Sequence, residues 1–210
     1  GGGNDYMDGG AGIDPVAYGG AALGGTVDLS LQGVAQDTGQ GVDTLVGIEH
    51  VTGSNFDDVM TGDGGDNWFW GLAGSDTISG GGGNDLMEVW DGDHVLDGGE
   101  GSDTLVAYGG GITAGVNLSL TSQGWAWDTG FGSMTLTGFE NLSGTQFDDW
   151  LSGDGAANIL GGDHGHDVIT GGAGNDRLYG DGGITIDSHG VGTSGPIIWI
   201  EDGSEFDVVG

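Results

Sequence analysis

Gly80 to Glu88 reads GGGGNDLME, and the frame behind it, G-G-x-G-x-D-x-U-x with U a large apolar residue, recurs along most of this 210-residue chain. It runs six times without a gap from Gly53 to Val106, four times from Gly144 to Tyr179, and twice at the start, ending at Asp8 and Ala17. In all twelve the eighth position is apolar: Met7, Val16, Met60, Phe69, Ile78, Met87, Leu96, Leu105, Leu151, Leu160, Ile169 and Leu178. One inward side chain every nine residues is too sparse for a helix stripe, which needs about three or four per two turns. It suits short xUx strands that each turn a middle residue to a core, joined by six-residue turns. The turns demand positive-φ backbone that Gly adopts at no steric cost, which gives the 53 Gly a use. A disordered low-complexity segment has no reason to hold twelve apolar residues in register.

The sixth position carries the chemistry. It is Asp5, Asp14, Asp58, Asp76, Asp85, Asp103, Asp149, Asp167 and Asp176 in nine repeats, and Asn67, Asn158 and His94 in the others. If two nonapeptides make one coil of a flattened solenoid, repeats two apart stack on the same edge, about 4.8 Å from strand to strand. Carboxylates of successive coils then approach each other, and a pair about 4 Å apart repels by roughly 1 kcal/mol even in water. A cation between them removes that cost. Calcium fits best, because it takes several hard oxygen ligands in flexible geometry, and Gly-rich loops add backbone carbonyls. Magnesium wants a stricter octahedron, and zinc prefers the Cys and His ligands that the frame lacks. The intact carboxylate pairs are Asp58 with Asp76, Asp85 with Asp103, and Asp149 with Asp167. Asn67 with Asp85 and Asn158 with Asp176 lose one charge each and are expected to bind more weakly. Asp76 with His94 puts a neutral imidazole where a hard oxygen belongs.

The chain closely resembles the RTX (repeats-in-toxin) family of secreted bacterial proteins. The resemblance implies a parallel β-roll, a right-handed β-solenoid, with several calcium ions held in the turns by sixth-position side chains and loop carbonyls. On this chain those side chains are Asp5, Asp14, Asp58, Asn67, Asp76, Asp85, Asp103, Asp149, Asn158, Asp167 and Asp176. It also implies type I secretion. RTX repeats occur in proteases, lipases, toxins, polysaccharide epimerases, adhesins and surface layers, so the repeat marks a module and leaves the parent activity open.

Composition agrees. A single basic residue, Arg177, stands against 33 acidic ones, for a formal charge of −32. Nucleic acid is excluded as a partner, since almost nothing is present to neutralise phosphate, and attraction to anionic lipid is excluded for the same reason. Without divalent ions the self-repulsion opposes compaction, so the metal-free chain is expected to be largely unfolded and to fold on binding calcium. There is no Cys, so calcium takes the stapling role that disulfides play in other extracellular domains. No apolar run is long enough to span a membrane. The chain starts in mid-repeat, and the final GSEFDVVG reads as the opening of another loop and strand, so it is expected to be part of something longer.

A larger period overlies the nonapeptides. Gly9–Leu31 matches Gly98–Leu120 at an offset of 89, and beyond Ser122 the offset becomes 91. The architecture is therefore read as an all-β tandem duplication: residues 1–91 with an insertion at 18–52, residues 92–183 with an insertion at 107–143, and capping or linking strands at 184–210. The insertions alternate polar and apolar residues at VDLSL and VNLSL, turn at DTG, and give a second strand near Leu45 or Leu136. They are expected to extend the roll sideways or cap it. Glu49 and Glu140 fall six places into the frame leading to Val51 and Leu142, where each is a candidate extra ligand on a loop shorter than the standard repeat.

Trp68 and Trp70 flank inward Phe69 and should point outward, Trp150 takes the equivalent seventh position, and Trp125 and Trp127 share one face where the first copy has Val34 and Gln36. Such aromatics either lie under a segment of the same chain or stack on sugar rings or another copy. His164 and His166 lie beside Asp163 and Asp167 at variable third and fifth loop positions, which gives no catalytic site, and no catalytic residue is assigned. In the tail, ITID and PIIWIE read as two strands, with Ile197, Ile198, Trp199 and Ile200 covering the last apolar layer or leading to a following domain. The resulting expectation is a noncatalytic, extracellular or cell-surface calcium-binding module that serves as scaffold or spacer. Adhesion or assembly through the Trp residues, and a noncatalytic part of a secreted polysaccharide-acting enzyme, are the alternatives.

Overall fold

The computed structural model describes residues 2–108 and 111–181, together with the backbone of two short strands in the tail. The chain enters on one face with β1 (Tyr6–Asp8) and crosses to the opposite face with β2 (Pro15–Ala17). The first insertion follows: β3 (Thr26–Asp28), a 3-10 turn at Leu29–Leu31, β4 (Ala35–Asp37) and β5 (Val42–Val46). From β6 (His50–Thr52) the path alternates between faces through β7 (Val59–Thr61), β8 (Trp68–Leu72), β9 (Thr77–Gly82), β10 (Leu86–Val89), β11 (His94–Glu100) and β12 (Thr104–Ala107). The second insertion repeats the order with β13 (Asn117–Ser119), a 3-10 turn at Leu120–Ser122, β14 (Ala126–Asp128) and β15 (Ser133–Thr137). Then come β16 (Asn141–Ser143), β17 (Trp150–Ser152), β18 (Ile159–Asp163), β19 (Val168–Thr170) and β20 (Arg177–Asp181). No α-helix occurs among the described residues.

One face is a continuous parallel sheet in the order β2-β6-β8-β10-β12-β16-β18-β20. The other is a series, β1-β5-β4, then β3-β7-β9-β11-β15-β14, then β13-β17-β19. Register follows the eighth position: Phe69 pairs with Met87 and Met87 with Leu105 on the first face, and Met60 with Ile78 and Ile78 with Leu96 on the second. One coil is therefore two nonapeptides, and the fold is the parallel β-roll that the family resemblance implies. Ten of the twelve eighth-position residues are buried, while Met7 and Leu178, in the first and last coils described, are only partly so.

The insertions correct one expectation. They neither cap the roll nor lie beside it, because β5 enters the ladder parallel to β1 and β15 parallel to β11. β4 and β14 turn back antiparallel on them, so each insertion adds three strands to the second face, and its last strand, β6 or β16, returns to the first. The break between β4 and β3 is bridged by one side chain: Gln36 accepts from the Asp28 N–H at 2.8 Å and donates to the Asp28 carbonyl at 3.0 Å. In the second copy Trp127 takes that place and packs against the core instead. In the tail, β21 (Thr185–Ile186) and β22 (Ile198–Trp199) pair antiparallel. The proposed covering role of Ile197, Ile198, Trp199 and Ile200 lies outside the described side chains.

Turn backbone explains the glycines. Position four is a Gly at φ between 108° and 152° in eight repeats, at Gly3, Gly12, Gly74, Gly83, Gly92, Gly101, Gly165 and Gly174. Position two also turns left-handed, and there Leu72 (φ 65°) and Asp163 (φ 71°) accept the conformation at a steric cost.

Candidate metal centres

Each turn delivers its sixth residue to one of the roll's two edges. On the edge entering the second face, the Asp58 N–H donates to Asp76 Oδ1 at 3.0 Å, and the Asp149 N–H to Asp167 Oδ1 at 2.9 Å. On the opposite edge the Asn67 N–H donates to Asp85 Oδ1 at 2.7 Å, Asp85 N–H to Asp103 Oδ1 at 2.7 Å, and Asn158 N–H to Asp176 Oδ1 at 3.0 Å. The pairs named by an 18-residue spacing are thus stacked neighbours.

Each such bond occupies only one carboxylate oxygen. Oδ2 of Asp14, Asp76, Asp85 and Asp103 is buried without a hydrogen-bond partner. A buried charge in that state is costly, and burial outweighs the N–H bonds that oppose it, pushing Asp76 up to about 8 and Asp85 up to about 7. Burial raises Asp103 and Asp149 as well. The first glycine of the repeat leaves a space beside these oxygens. A Cβ on Gly80 would sit 2.5 Å from the Gly98 carbonyl oxygen and press on Asp85 Oδ2, and one on Gly53 would sit 2.5 Å from Asp58 Oδ2 and 3.1 Å from the Gly71 carbonyl. The space is bounded by hard oxygens of two successive coils, which fits calcium. Among the described residues no three His, Cys, Asp or Glu side chains converge; the donor set is instead one carboxylate per loop with main-chain carbonyls.

Two measurable consequences follow. Gly80→Ala puts a methyl group into the space while keeping every ligand, so it is expected to raise the calcium midpoint of folding; an unchanged midpoint would place the ion elsewhere. A carboxyl whose pKa is raised in the fold stabilises the metal-free roll below its ordinary value near 4, and that stability is lost as pH rises through the folded value. The metal-free chain is therefore expected to gain β signal as pH falls from 8 toward 4, through the range set by Asp76 at about 8 and Asp85 at about 7. A far-UV signal flat across that range would contradict the burial of these groups.

Asp58 and Asp149 differ from the rest. Ser54 N–H reaches Asp58 Oδ2 at 2.5 Å and Thr145 N–H reaches Asp149 Oδ2 at 2.6 Å, while Gly25 and Val116 N–H donate to their Oδ1 atoms at 2.6 and 2.7 Å. These two carboxylates anchor β3 and β13, the strands that begin each insertion.

Asp5 and Asp14 find partners that the 18-residue pairing does not supply, although Glu49 stands in the frame as a candidate ligand. The Asp5 N–H donates to Asp43 Oδ1 at 2.9 Å, and the Asp14 N–H to Glu49 Oε2 at 3.0 Å. Asp43 was missed, although Gly41-Val42-Asp43-Thr44-Leu45 is the second half of the repeat, G-x-D-x-U, and Gly41 has the position-four φ of 148°. Its Oδ2 is held by Tyr18 OH at 3.2 Å and Thr38 Oγ1 at 2.8 Å. In the second copy the counterparts of Asp5 and Asp43 are His94 and Met134, paired in register, so both carboxylates are replaced together. His94 is fully buried, its Nδ1 accepts from the Asp76 N–H at 3.3 Å, and its Nε2 faces the Trp90 carbonyl at 3.3 Å. Burial lowers its pKa, so its approach to Asp76 Oδ2 at 3.6 Å is not an ion pair.

The two Asn residues have a backbone cause. Asn67 and Asn158 each follow an insertion, where the preceding loop presents a carbonyl in place of an N–H. Asn67 Nδ2 donates to the Glu49 carbonyl at 3.3 Å and Asn158 Nδ2 to the Glu140 carbonyl at 2.9 Å. Only a side chain with a donor suits that place. The fifth position, read above as tolerant, also forms a ladder: Ser75 N–H donates to Asp57 Oδ1 at 2.7 Å, Asn84 N–H to Asp66 Oδ1 at 2.7 Å, and His166 N–H to Asp148 Oδ1 at 2.9 Å. Short polar side chains make this ladder where they occur, although Ile13, Ala157 and His166 also occupy the position. His164 and His166 are exposed, and His164 Nδ1 lies 3.5 Å from Asp163 Oδ1.

The Trp residues divide. Trp68 and Trp70 are half-buried with ring centroids 4.7 Å apart, and Trp70 Nε1 donates to Glu88 Oε2 at 2.9 Å. Trp125 and Trp150 are open, at 74% and 62% exposure.

A two-faced parallel roll with stacked turn carboxylates that need a cation defines a calcium-binding solenoid. The chain belongs to the RTX family: residues 1–14, 52–87, 135–169 and 162–186 match the RTX calcium-binding nonapeptide repeat, in four copies. RTX repeats bind calcium, and proteins that carry them are generally secreted bacterial proteins. No curated protein matches the chain.

Proposed function

We propose that this chain is an extracellular or cell-surface calcium-binding module that folds when the ions arrive and then serves as a noncatalytic scaffold or spacer of a larger secreted protein. The carrying observation is the set of buried, unpartnered Oδ2 atoms on stacked Asp residues, each beside a glycine-lined space. Asp5, Asp14, Asp58, Asn67, Asp76, Asp85, Asp103, Asp149, Asn158, Asp167 and Asp176 hold the ions together with loop carbonyls. Loading one site to about 100 times its dissociation constant adds roughly 2.7 kcal/mol, so a handful of sites matches the stability of an ordinary domain. Calcium outside cells keeps the module folded, and its scarcity inside leaves the chain unfolded for export by type I secretion. The two copies, 1–91 and 92–183, act as one roll. The test is equilibrium dialysis of the full chain against calcium with magnesium as competitor: several ions bound and retained against excess magnesium support the reading, and no saturable binding sinks it.

The exposure of Trp125 and Trp150 favours a second reading, in which the roll also adheres to glycan or to another copy of itself. Replacing both by Ala should then abolish carbohydrate retention or calcium-dependent association without altering calcium binding.

A further inference from the structure

The insertions rebuild the metal ladder with a different residue on a different loop. In an intact repeat, a Cβ on the first glycine would meet the carboxylate of its own sixth residue and the carbonyl of the first glycine one coil on, as Gly80 does with Asp85 and Gly98. At Gly98 the next nonapeptide in sequence is not the next coil, because the second insertion intervenes. The Cβ position there faces Asp103 Oδ2 at 2.8 Å and the carbonyl of Gly138, a residue of that insertion. Gly138 stands only two positions before Glu140, whereas Gly98 stands five positions before Asp103. The longer Glu side chain makes up for the shorter loop. The Asp103 N–H donates to Glu140 Oε2 at 2.8 Å, the same bond that the Asp85 N–H makes to Asp103 Oδ1 at 2.7 Å. Asp103 is fully buried, and its Oδ2, bordering this space, has no partner.

We propose that Asp103 and Glu140, with the Gly138 carbonyl, form a further calcium site outside the nonapeptide pattern, and that Asp14, Glu49 and the Gly47 carbonyl form its counterpart in the first copy. The first copy repeats the construction independently in sequence. A Cβ on Gly9 would press on the Gly47 carbonyl and on Asp14, the Asp14 N–H donates to Glu49 Oε2 at 3.0 Å, and Asp14 Oδ2 is buried without a partner. Gly47 at φ 59° and Gly138 at φ 68° take the same left-handed turn. A Glu two residues after a left-handed glycine thus substitutes for a whole six-residue loop, and the ladder of ions continues across each insertion. Burial raises the pKa of Glu140, as it does that of Asp103.

This inference rests on the calcium-binding reading, and the experiment separates the two. Calcium stoichiometry of the full chain is measured by equilibrium dialysis for the native sequence, Glu140→Gln, Glu49→Gln and the double variant. Gln keeps an oxygen able to accept the Asp103 or Asp14 N–H while removing the charge. Each single variant is expected to bind one ion fewer and the double variant two fewer, with the β signal in saturating calcium retained. Native stoichiometry and affinity in all variants overturn the two sites while leaving the module reading intact; a native chain that binds no calcium overturns the module itself. If Glu140→Gln does not fold, Glu49→Gln carries the test at the counterpart site: loss of one ion supports the pair of sites, and an unchanged count overturns it.

Discussion

Asp85→Ala is expected to destabilise the calcium-loaded roll more than any other single change on the ladder. Asp85 is fully buried, its Oδ1 accepts the Asn67 N–H, its Oδ2 borders the space beside Gly80, and its own N–H reaches Asp103. It therefore serves the turns above and below. Losing two sites, each contributing roughly 2.7 kcal/mol at a hundredfold loading, removes about 5 kcal/mol, comparable to the lower end of a domain's total stability. Denaturant unfolding in saturating calcium would show the midpoint fall, and the calcium count would fall with it. A variant as stable as the native chain in calcium would mean that Asp85 holds no ion.

Phe69→Ala separates packing from metal binding. Phe69 is completely buried on β8, stacked between Val51 and Met87. Deleting a buried Phe costs about 3–5 kcal/mol, because the cavity does not collapse. The ladder oxygens are untouched. The calcium midpoint of folding should therefore shift upward while the number of ions bound at saturation stays the same. A loss of ions would show that inner core and edge are not separable, and a negligible shift would show that Phe69 is not in the core.

The parts legible in the sequence are those fixed by local repetition. An apolar residue every nine positions can only be a short strand with one inward side chain, which gave the two faces, the 18-residue coil and the stacked Asp pairs. What escaped depends on where an oxygen ends up and not on the loop that carries it. Asp43 sits in half a repeat whose other copy has Met134, so comparing the copies hid it. The Glu49 and Glu140 carbonyls that face the Asn67 and Asn158 amides lie in the insertions, where the loop is shorter than the nonapeptide frame. The fate of the insertions was open because an alternating VDLSL segment satisfies a cap and a ladder strand equally; pairing of β5 with β1 and of β15 with β11 decides it.

The central claim is that calcium and folding are one event. A formal charge of −32, buried carboxyls and no disulfide leave the metal-free roll with little to hold it at neutral pH. The direct measurement is far-UV circular dichroism of the full chain during a calcium titration at pH 7.5 or thereabouts, with magnesium as control. A cooperative gain of β signal in calcium alone, displaced to higher calcium in a variant with Asp58, Asp85 and Asp149 changed to Ala, is the expected result. A chain already fully β in chelator, or one that magnesium folds equally well, would contradict it.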